Sequence, residues 1–378
     1  MTHKHHTHYT HHHRRPFLYN PYEIALLGYS GSGKTTLATH LIKKWTPERH
    51  VAYIKHARHS FEMDQLGKDT FQARDSGASM IYVEDPTHRA IIKKSSTESP
   101  LAYPELLEAD IVFVESYKNL DMPKIILIDQ EEKIIKDLEE EKYDRVLLCA
   151  GPKPRCPTLS SRFRYFQRDD IEEIVQAIGN QLDRMVKLFP VYGLILTGGK
   201  SVRMGRDKAT LKIGGAMQSE RCFKLLEQHC DSVFISNRTD QAHAIGHEGF
   251  PQIHDTFIDL GPTGGILSAL KREPRATWFV AACDLPYLDD ETLSKLLQKR
   301  NPFKMATAYV SERHKGLPEP LCTLYEPKSI YRIMNFVADN IYCPRKMLIN
   351  SRIELVPLAD QKALDNMNAP EDYKVMRG

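Results

Sequence analysis

Twice along the chain a short, unbroken apolar run ends in a glycine-rich loop, and that restarted plan limits the fold more than any other feature. The first run, Tyr22-Glu-Ile-Ala-Leu-Leu27, enters Gly28-Tyr-Ser-Gly-Ser-Gly-Lys-Thr35. The second, Val191-Tyr-Gly-Leu-Ile-Leu196, enters Thr197-Gly-Gly-Lys-Ser-Val-Arg-Met-Gly205. A run without polar alternation suits a strand buried on both faces, as in a parallel sheet with helical crossovers. Further short runs at Val51–Lys55, Met80–Val83, Ile111–Val114, Lys124–Ile128 and Arg145–Leu148, with a helical stretch at Glu131–Glu140, extend the first plan into an open α/β sheet. After the second loop, runs at Ser232–Ser236 and Thr277–Ala281 alternate with helical stretches at 219–229, 263–271, 291–298 and 327–338, again an α/β pattern with a doubly wound sheet. A polar amphipathic helix over Asp169–Lys187 leads to Pro190, just before the plan restarts. At 378 residues the chain has room for two such units, each with its own core. The expected division is a disordered His-rich tail over 1–15, a first domain over 16–187 and a second over 188–378.

Charge and cysteine usage narrow the partners. The net charge of +3 is too small to predict a nucleic-acid or membrane-surface protein, so neither partner is expected. The 7 cysteines are odd in number and form no CxxC pair, which predicts free thiols in a reducing, cytoplasmic setting. No apolar run reaches membrane-spanning length.

The first loop, Gly28-x-x-x-x-Gly33-Lys34-Thr35, lies between a strand and a helix, as a phosphate-binding (Walker A) loop requires. Its glycines let backbone N–H groups turn inward around phosphate oxygens, where the following helix N-terminus adds positive potential. Gly28, Gly31, Ser32, Gly33, Lys34, Thr35 and Thr36 are therefore the expected nucleotide-binding residues, with Lys34 on the β- and γ-phosphates and Thr35 on Mg²⁺. Glu115, at the carboxyl end of Asp110-Ile-Val-Phe-Val-Glu115, is the expected second metal or water contact. Asp110, at the other end, reads as an ordinary strand-boundary residue. The series Ile54-Lys55-His56, His59, Asp64, Gly67-Lys68-Asp69-Thr70, Arg74, Gly77-Ala78, Glu115-Ser116-Tyr117-Lys118 and Pro123-Lys124-Ile125 resembles the molybdopterin-guanine dinucleotide biosynthesis adaptor family, MobB. Ser116 stands where that family usually carries Gly. The resemblance implies a P-loop NTPase-like parallel sheet, GTP binding with weak hydrolysis, an accessory role, and His56, His59 and Asp64 as site residues.

In the second loop, Leu196-Thr-Gly-Gly-Lys-Ser-Val-Arg-Met-Gly-Arg-Asp-Lys208, paired glycines allow a nucleobase or phosphate to approach the backbone. Ser201 can donate to a phosphate oxygen, and Arg203 and Lys208 supply charge against a departing pyrophosphate. Leu196, Gly198, Gly199, Ser201, Lys208, Asn237 and Asp255 are the expected nucleotide-binding residues. Arg203, Lys208 and Asp284 are the expected catalytic residues, and Asp284, followed by Leu285-Pro286 after a buried run, is the expected metal ligand. Cys283 reads as a small buried residue and not a nucleophile. Pro318–Pro320 reads as an acceptor-side loop, while Cys343-Pro-Arg-Lys346 reads equally as a phosphate contact or as a helix start.

Together with Ser236-Asn237-Arg238, Gly261–Gly265, Cys283–Pro286, Pro318–Tyr325 and Asn368, this loop resembles the molybdenum cofactor guanylyltransferase family, MobA. Thr197 and Thr263 replace the usual Ala and Leu. The resemblance implies a Rossmann-like nucleotidyltransferase sheet, GTP as donor, molybdopterin as acceptor and Mg²⁺ as cofactor. Recipient molybdoenzymes and a homodimer are left open as further partners. The alternatives are a cytidylyl- or other nucleotidyltransferase on a different acceptor phosphate, and a non-catalytic GTP-binding adaptor.

Overall fold

The computed structural model describes residues 22–55, 66–93, 104–116, 121–152, 159, 161–197, 212–213, 216–238, 247–312 and 315–366. The N-terminal part comprises β1 (Glu23–Leu27), α1 (Lys34–Trp45), β2 (Val51–Lys55), α2 (Asp69–Asp75), β3 (Met80–Glu84), β4 (Arg89–Lys93), β5 (Ile111–Glu115), β6 (Lys124–Leu127), α3 (Lys133–Glu139), β7 (Val146–Gly151), β8 (Tyr165–Gln167) and α4 (Ile171–Val186). Six of these strands form a parallel sheet in the order β2-β5-β1-β6-β7-β8. Alternate residues of each strand enter opposite cores, the period-2 consequence of the pleat. Ile24, Leu26, Ile111 and Phe113 meet α1 and α4 on one face, while Ala25, Leu27, Val112 and Val114 meet α3 on the other.

Met80–Val83 does not join this sheet. It pairs antiparallel with β4 as a separate, largely exposed hairpin. A four-residue apolar run carries no information about which strand it pairs with, so the expected sheet strand was a misplacement.

The C-terminal part follows after four linking residues: β9 (Val191–Leu196), β10 (Lys212–Ile213), β11 (Ala216–Met217), α5 (Gln218–Glu227), β12 (Ser232–Asn237), β13 (Gln252–His254), α6 (Pro262–Arg272), β14 (Thr277–Ala282), α7 (Asp290–Gln298), β15 (Ala306–Ser311), β16 (Leu317–Tyr325), α8 (Ser329–Ala338), α9 (Pro344–Ile349) and β17 (Glu354–Pro357). Seven strands form a mixed sheet, β13-β12-β9-β14-β16-β15-β17. The first four are mutually parallel, and β16 runs antiparallel to both β14 and β15. Leu194, Trp278 and Val280 pack against α6, α8 and α9, while Ile195, Val233 and Phe279 pack against α5 and α7. Pro318–Pro320 belongs to β16 and not to a loop. Its prolines are tolerated because the pairing with β15 is irregular between Ala308 and Val310. Among the described residues no helix is long and apolar enough to cross a membrane.

Candidate functional sites at two sheet edges

The first glycine loop leaves β1 at the carboxyl edge of the parallel sheet, beside the end of β5. Gly31 and Gly33 hold φ of 76° and 90°, a region glycine reaches without steric cost. A Cβ on Gly33 would sit 2.8 Å from Cδ of Arg168. Nζ of Lys34 donates to the carbonyls of Gly28 (3.0 Å) and Tyr29 (2.8 Å), so the ammonium lies over the loop. Oγ1 of Thr35 donates to Oε2 of Glu115 at 3.1 Å, which brings the two sequence-predicted metal contacts together. Ser32 is buried, whereas Thr36 lies on the first turn of α1 and faces a cavity of about 210 Å³ with His40 and Arg168.

Two residues of this edge, Tyr53 and Arg168, gave no sequence signal, and Lys55 entered only through the Ile54-Lys55-His56 series of the family resemblance. Tyr53 donates its hydroxyl to the same Oε2 of Glu115, and Nζ of Lys55 lies 3.5 Å from Oε1. Burial, and then the bond to Glu115, raises the Tyr53 phenol above its ordinary range, so it stays a donor. Nη1 of Arg168 donates to the carbonyl of Ser32 at 3.3 Å from the end of β8, adding a cation beside the loop. Ser116 has φ of 77°, so the position where the resemblance expects Gly does require a left-handed residue. Lys124, from the Pro123-Lys124-Ile125 motif, is buried away from the loop and paired with Asp144 at 2.5 Å. His56, His59 and Asp64 lie outside the described residues.

The second edge is built by strand register. Leu196 stands beside both Ser236 and Ala282, and Asn237 stands beside His254, so β9, β12, β13 and β14 end level. Thr197, Asn237, Asp255 and Asp284 therefore emerge at one carboxyl edge, the edge where open α/β sheets place ligands. Thr197 is fixed by its amide and Oγ1, both donating to the carbonyl of Ser236 (3.2 and 2.7 Å). The amide of Cys283 donates to Leu196 at 3.2 Å, and that of Asp255 to Asn237 at 3.0 Å. Oγ of Ser236 donates to Oδ1 of Asp255 at 2.8 Å. Burial raises the Asp255 carboxyl above its ordinary range, against the lowering influence of Ser236, Arg238 and His254.

Helix α6 reaches this edge because two of its residues lack a side chain. A Cβ on Gly264 would collide with the carbonyl of Phe257, and one on Gly265 would come within 2.5 Å of Oγ of Ser236. Thr263, where the resemblance expects Leu, is buried and donates to the carbonyl of Tyr342 at 2.8 Å.

The turn that carries Asp284 is braced from α5, a contact without a sequence signal. Arg221 donates to the carbonyls of Leu285 (3.3 Å) and Leu288. Burial pushes the neighbouring Cys222 thiol up to about 12, with a smaller contribution from the Asp284 charge. Cys283 is buried, as expected of a non-nucleophile. The Asn237 side chain is fully buried. It donates to Gln252 (2.7 Å) and bonds to His254 (2.8 Å), tying β12 to β13. Arg345 donates to the carbonyl of Pro318 (3.1 Å) and to Glu319 (2.9 Å), where α9 begins. Gly198, Gly199, Ser201, Arg203, Lys208 and Asn368 lie outside the described residues.

A phosphate-loop edge on one parallel sheet, and a glycine-loop edge with strand-end carboxylates on another, define a two-module protein of the nucleotide-handling α/β class. Residues 193–351 match the family model described as MobA-like NTP transferase domain, and residues 24–148 match that of molybdopterin guanine dinucleotide synthesis protein B. A molybdenum cofactor biosynthesis bifunctional protein of Synechocystis is 34% identical over 201 residues, 53% of this chain, but the alignment spans only 57% of that relative. A molybdopterin-guanine dinucleotide biosynthesis adapter protein of Haemophilus influenzae is 34% identical over 126 residues, 31% of this chain and 69% of the relative. A protein of Carboxydothermus hydrogenoformans named as a probable molybdenum cofactor guanylyltransferase is 30% identical over 190 residues, 48% of this chain and 91% of the relative. The chain belongs to the MobA-like molybdenum cofactor guanylyltransferase family through its C-terminal part and to the MobB family through its N-terminal part.

Proposed function

We propose that the chain transfers GMP from GTP to molybdopterin with release of pyrophosphate, and that its N-terminal module is a GTP-binding accessory. The observation that carries this reading is the level ending of four parallel strands, which brings the start of the glycine loop, Asp255 and Asp284 to one edge of the sheet. On this reading Gly198, Gly199 and Ser201 cradle the nucleotide, and Arg203 and Lys208 steady the triphosphate. An oxygen of the molybdopterin phosphate attacks the α-phosphorus, a new P–O–P linkage forms, and the α–β bridging bond breaks to release pyrophosphate. A phosphomonoester with a second pKa of about 6 is already largely dianionic at neutral pH, so the step needs alignment and charge screening more than a general base.

Mg²⁺ fits the oxygen donors present. Such an ion takes one or two carboxylates and completes its shell with phosphate oxygens and water. Among the described residues no three His, Cys, Asp or Glu side chains form a protein-only metal cage. Asp284 in one module, and Thr35 with Glu115 in the other, are the groups that would hold it. Bound beside Asp284, it would neutralise charge growing on the departing pyrophosphate. The described cysteines are free thiols, which supports a reducing, cytoplasmic setting.

The test is pyrophosphate release from the purified chain with molybdopterin, Mg²⁺ and each of the four nucleoside triphosphates. Release with GTP, abolished by Asp284→Ala, is expected. Turnover with CTP alone, or with no triphosphate, would overturn the proposal.

A further inference from the structure

The two modules meet at the sheet edges opposite their nucleotide sites. Tyr22, His50 and Asp110 immediately precede β1, β2 and β5, so all three lie on the amino edge of the N-terminal sheet. Their partners lie on the C-terminal sheet where β15 and β17 begin and β16 ends. Phe303 packs into the core of the N-terminal module, 4.6 Å from the Tyr22 ring and 4.0 Å beneath the guanidinium of Arg49. Asp110 is 1% exposed. It accepts from the amide of His50 at 2.8 Å and from both terminal guanidinium nitrogens of Arg352, Nη1 and Nη2, at 3.0 and 2.9 Å. Nζ of Lys328, 8% exposed, lies 3.3 Å from the same carboxylate and 3.2 Å from the Ala109 carbonyl. Arg332 adds a bond to Glu108 at 3.1 Å.

An aromatic anchor in a dry core, a bidentate arginine and a buried lysine on one carboxylate make a joint with one geometry. The four residues between α4 and β9 add a short tether. We propose that this joint holds the modules back to back, so that the GTP bound at the phosphate loop never enters the transfer cleft of its own chain. This rests on the proposed function for the identity of the cleft. The joint bonds the residues before β5 of one sheet to those flanking β16 of the other, at the edge where β14 begins. Phosphate loop and cleft are therefore separated by the lengths of both strands. Five residues of β5 and six of β14, at about 3.3 Å each, amount to roughly 35 Å of strand between the sites when the two run end to end. Each cleft draws its GTP from solution, and the two sites bind nucleotide independently.

The test is a pulsed electron–electron resonance distance in the full chain, with spin labels at Gln130→Cys beside the phosphate loop and Tyr287→Cys beside the Asp284 turn. Cys156→Ser and Cys343→Ser remove competing thiols. A modal distance of about 30 Å or more, unchanged by GTP and Mg²⁺, is expected; a shorter mode, free or with GTP, overturns the proposal. Asp110→Ala should broaden the distribution, with Arg352→Ala as the milder variant if the first does not fold. An unchanged width in the variant would remove Asp110 from the joint. The distance requires no turnover, so a chain that transfers no GMP refutes the proposed function and leaves the geometry standing.

Discussion

Replacing Gly265 with Ala adds a single methyl group where the C-terminal sheet edge has no room for it. The new Cβ would lie 2.5 Å from Oγ of Ser236, 2.7 Å from Cδ2 of Leu196 and 3.5 Å from Oδ1 of Asp255. Ser236 can yield only by rotating its hydroxyl away from Asp255, which breaks a 2.8 Å bond. Losing a hydrogen bond to a carboxylate costs about 1.5–3 kcal/mol, and overpacking a filled core adds about 1–3 kcal/mol. The helix propensity of Ala returns about 1 kcal/mol, leaving a net loss of about 1.5–5 kcal/mol. Gly179 supplies the control. It lies inside α4 with nothing within 4 Å of an added Cβ, so Gly179→Ala should stabilise by about 0.5–1 kcal/mol.

Urea unfolding can read each module separately, because the two tryptophans, Trp45 and Trp278, lie in different cores. The Gly265 variant would be measured in a Trp45→Phe parent and the Gly179 variant in a Trp278→Phe parent. The expected result is opposite signs for the same substitution, with transfer reduced only by Gly265→Ala. If Gly265→Ala gained stability as Gly179→Ala does, α6 would not pack on the strand ends as described, and the cleft built from that packing would fail with it.

Lys34→Ala should weaken nucleotide binding at the phosphate loop roughly tenfold or more, read with a fluorescent GTP analogue, and leave the GTP KM of transfer within about twofold. A matching rise in that KM would join the two sites. Ser116→Gly should raise the thermal midpoint of the N-terminal module by about 2–4 °C, since a left-handed φ of 77° costs a serine about 1 kcal/mol; an unchanged or lower midpoint would show the strain to be absent. Asp255→Asn should keep the Ser236 bond but remove a buried charge. With the folded carboxyl raised, ionisation destabilises the fold, so stability falls as pH rises from the unfolded value of about 3.9 through the folded one. The variant should therefore gain stability at pH 7 relative to pH 3, by urea midpoint, while its transfer rate drops; a gain that is the same at both pH values would mean the charge is not the cause.

What the sequence made legible is local. Each phosphate-type loop is written in consecutive residues, because glycine spacing and the preceding apolar run act within a single strand–loop–helix unit. The pairing of Thr35 with Glu115 followed from one further rule, that ligands gather at the carboxyl ends of parallel strands. What stayed hidden is non-local. Arg168 reaches Ser32 across 136 positions, and Arg352 reaches Asp110 across 242, with nothing near either residue to announce the contact. Asp110 read as a strand boundary because its immediate neighbours say only that. Prolines at 318 and 320 suggested a loop, since the irregular pairing that admits them into β16 is a property of two strands together.

The joint at Asp110 also follows from the polarity of a parallel sheet. Carboxyl edges receive the loops that lead to helix N-termini, and these present positive potential to phosphates. Amino edges instead leave strand-entry amides in search of acceptors. Here carboxylates meet two of them: Asp110 accepts from His50, and Asp231 accepts from Val191 at 2.9 Å. Of these acids, Asp110 is buried where the modules meet, and a buried anion is stable only with cations close by, which Lys328 and Arg352 of the second module supply. A residue that serves one strand of the first module thereby becomes the seat of the second. Fusion at that edge consumes none of the described groups of either candidate nucleotide site.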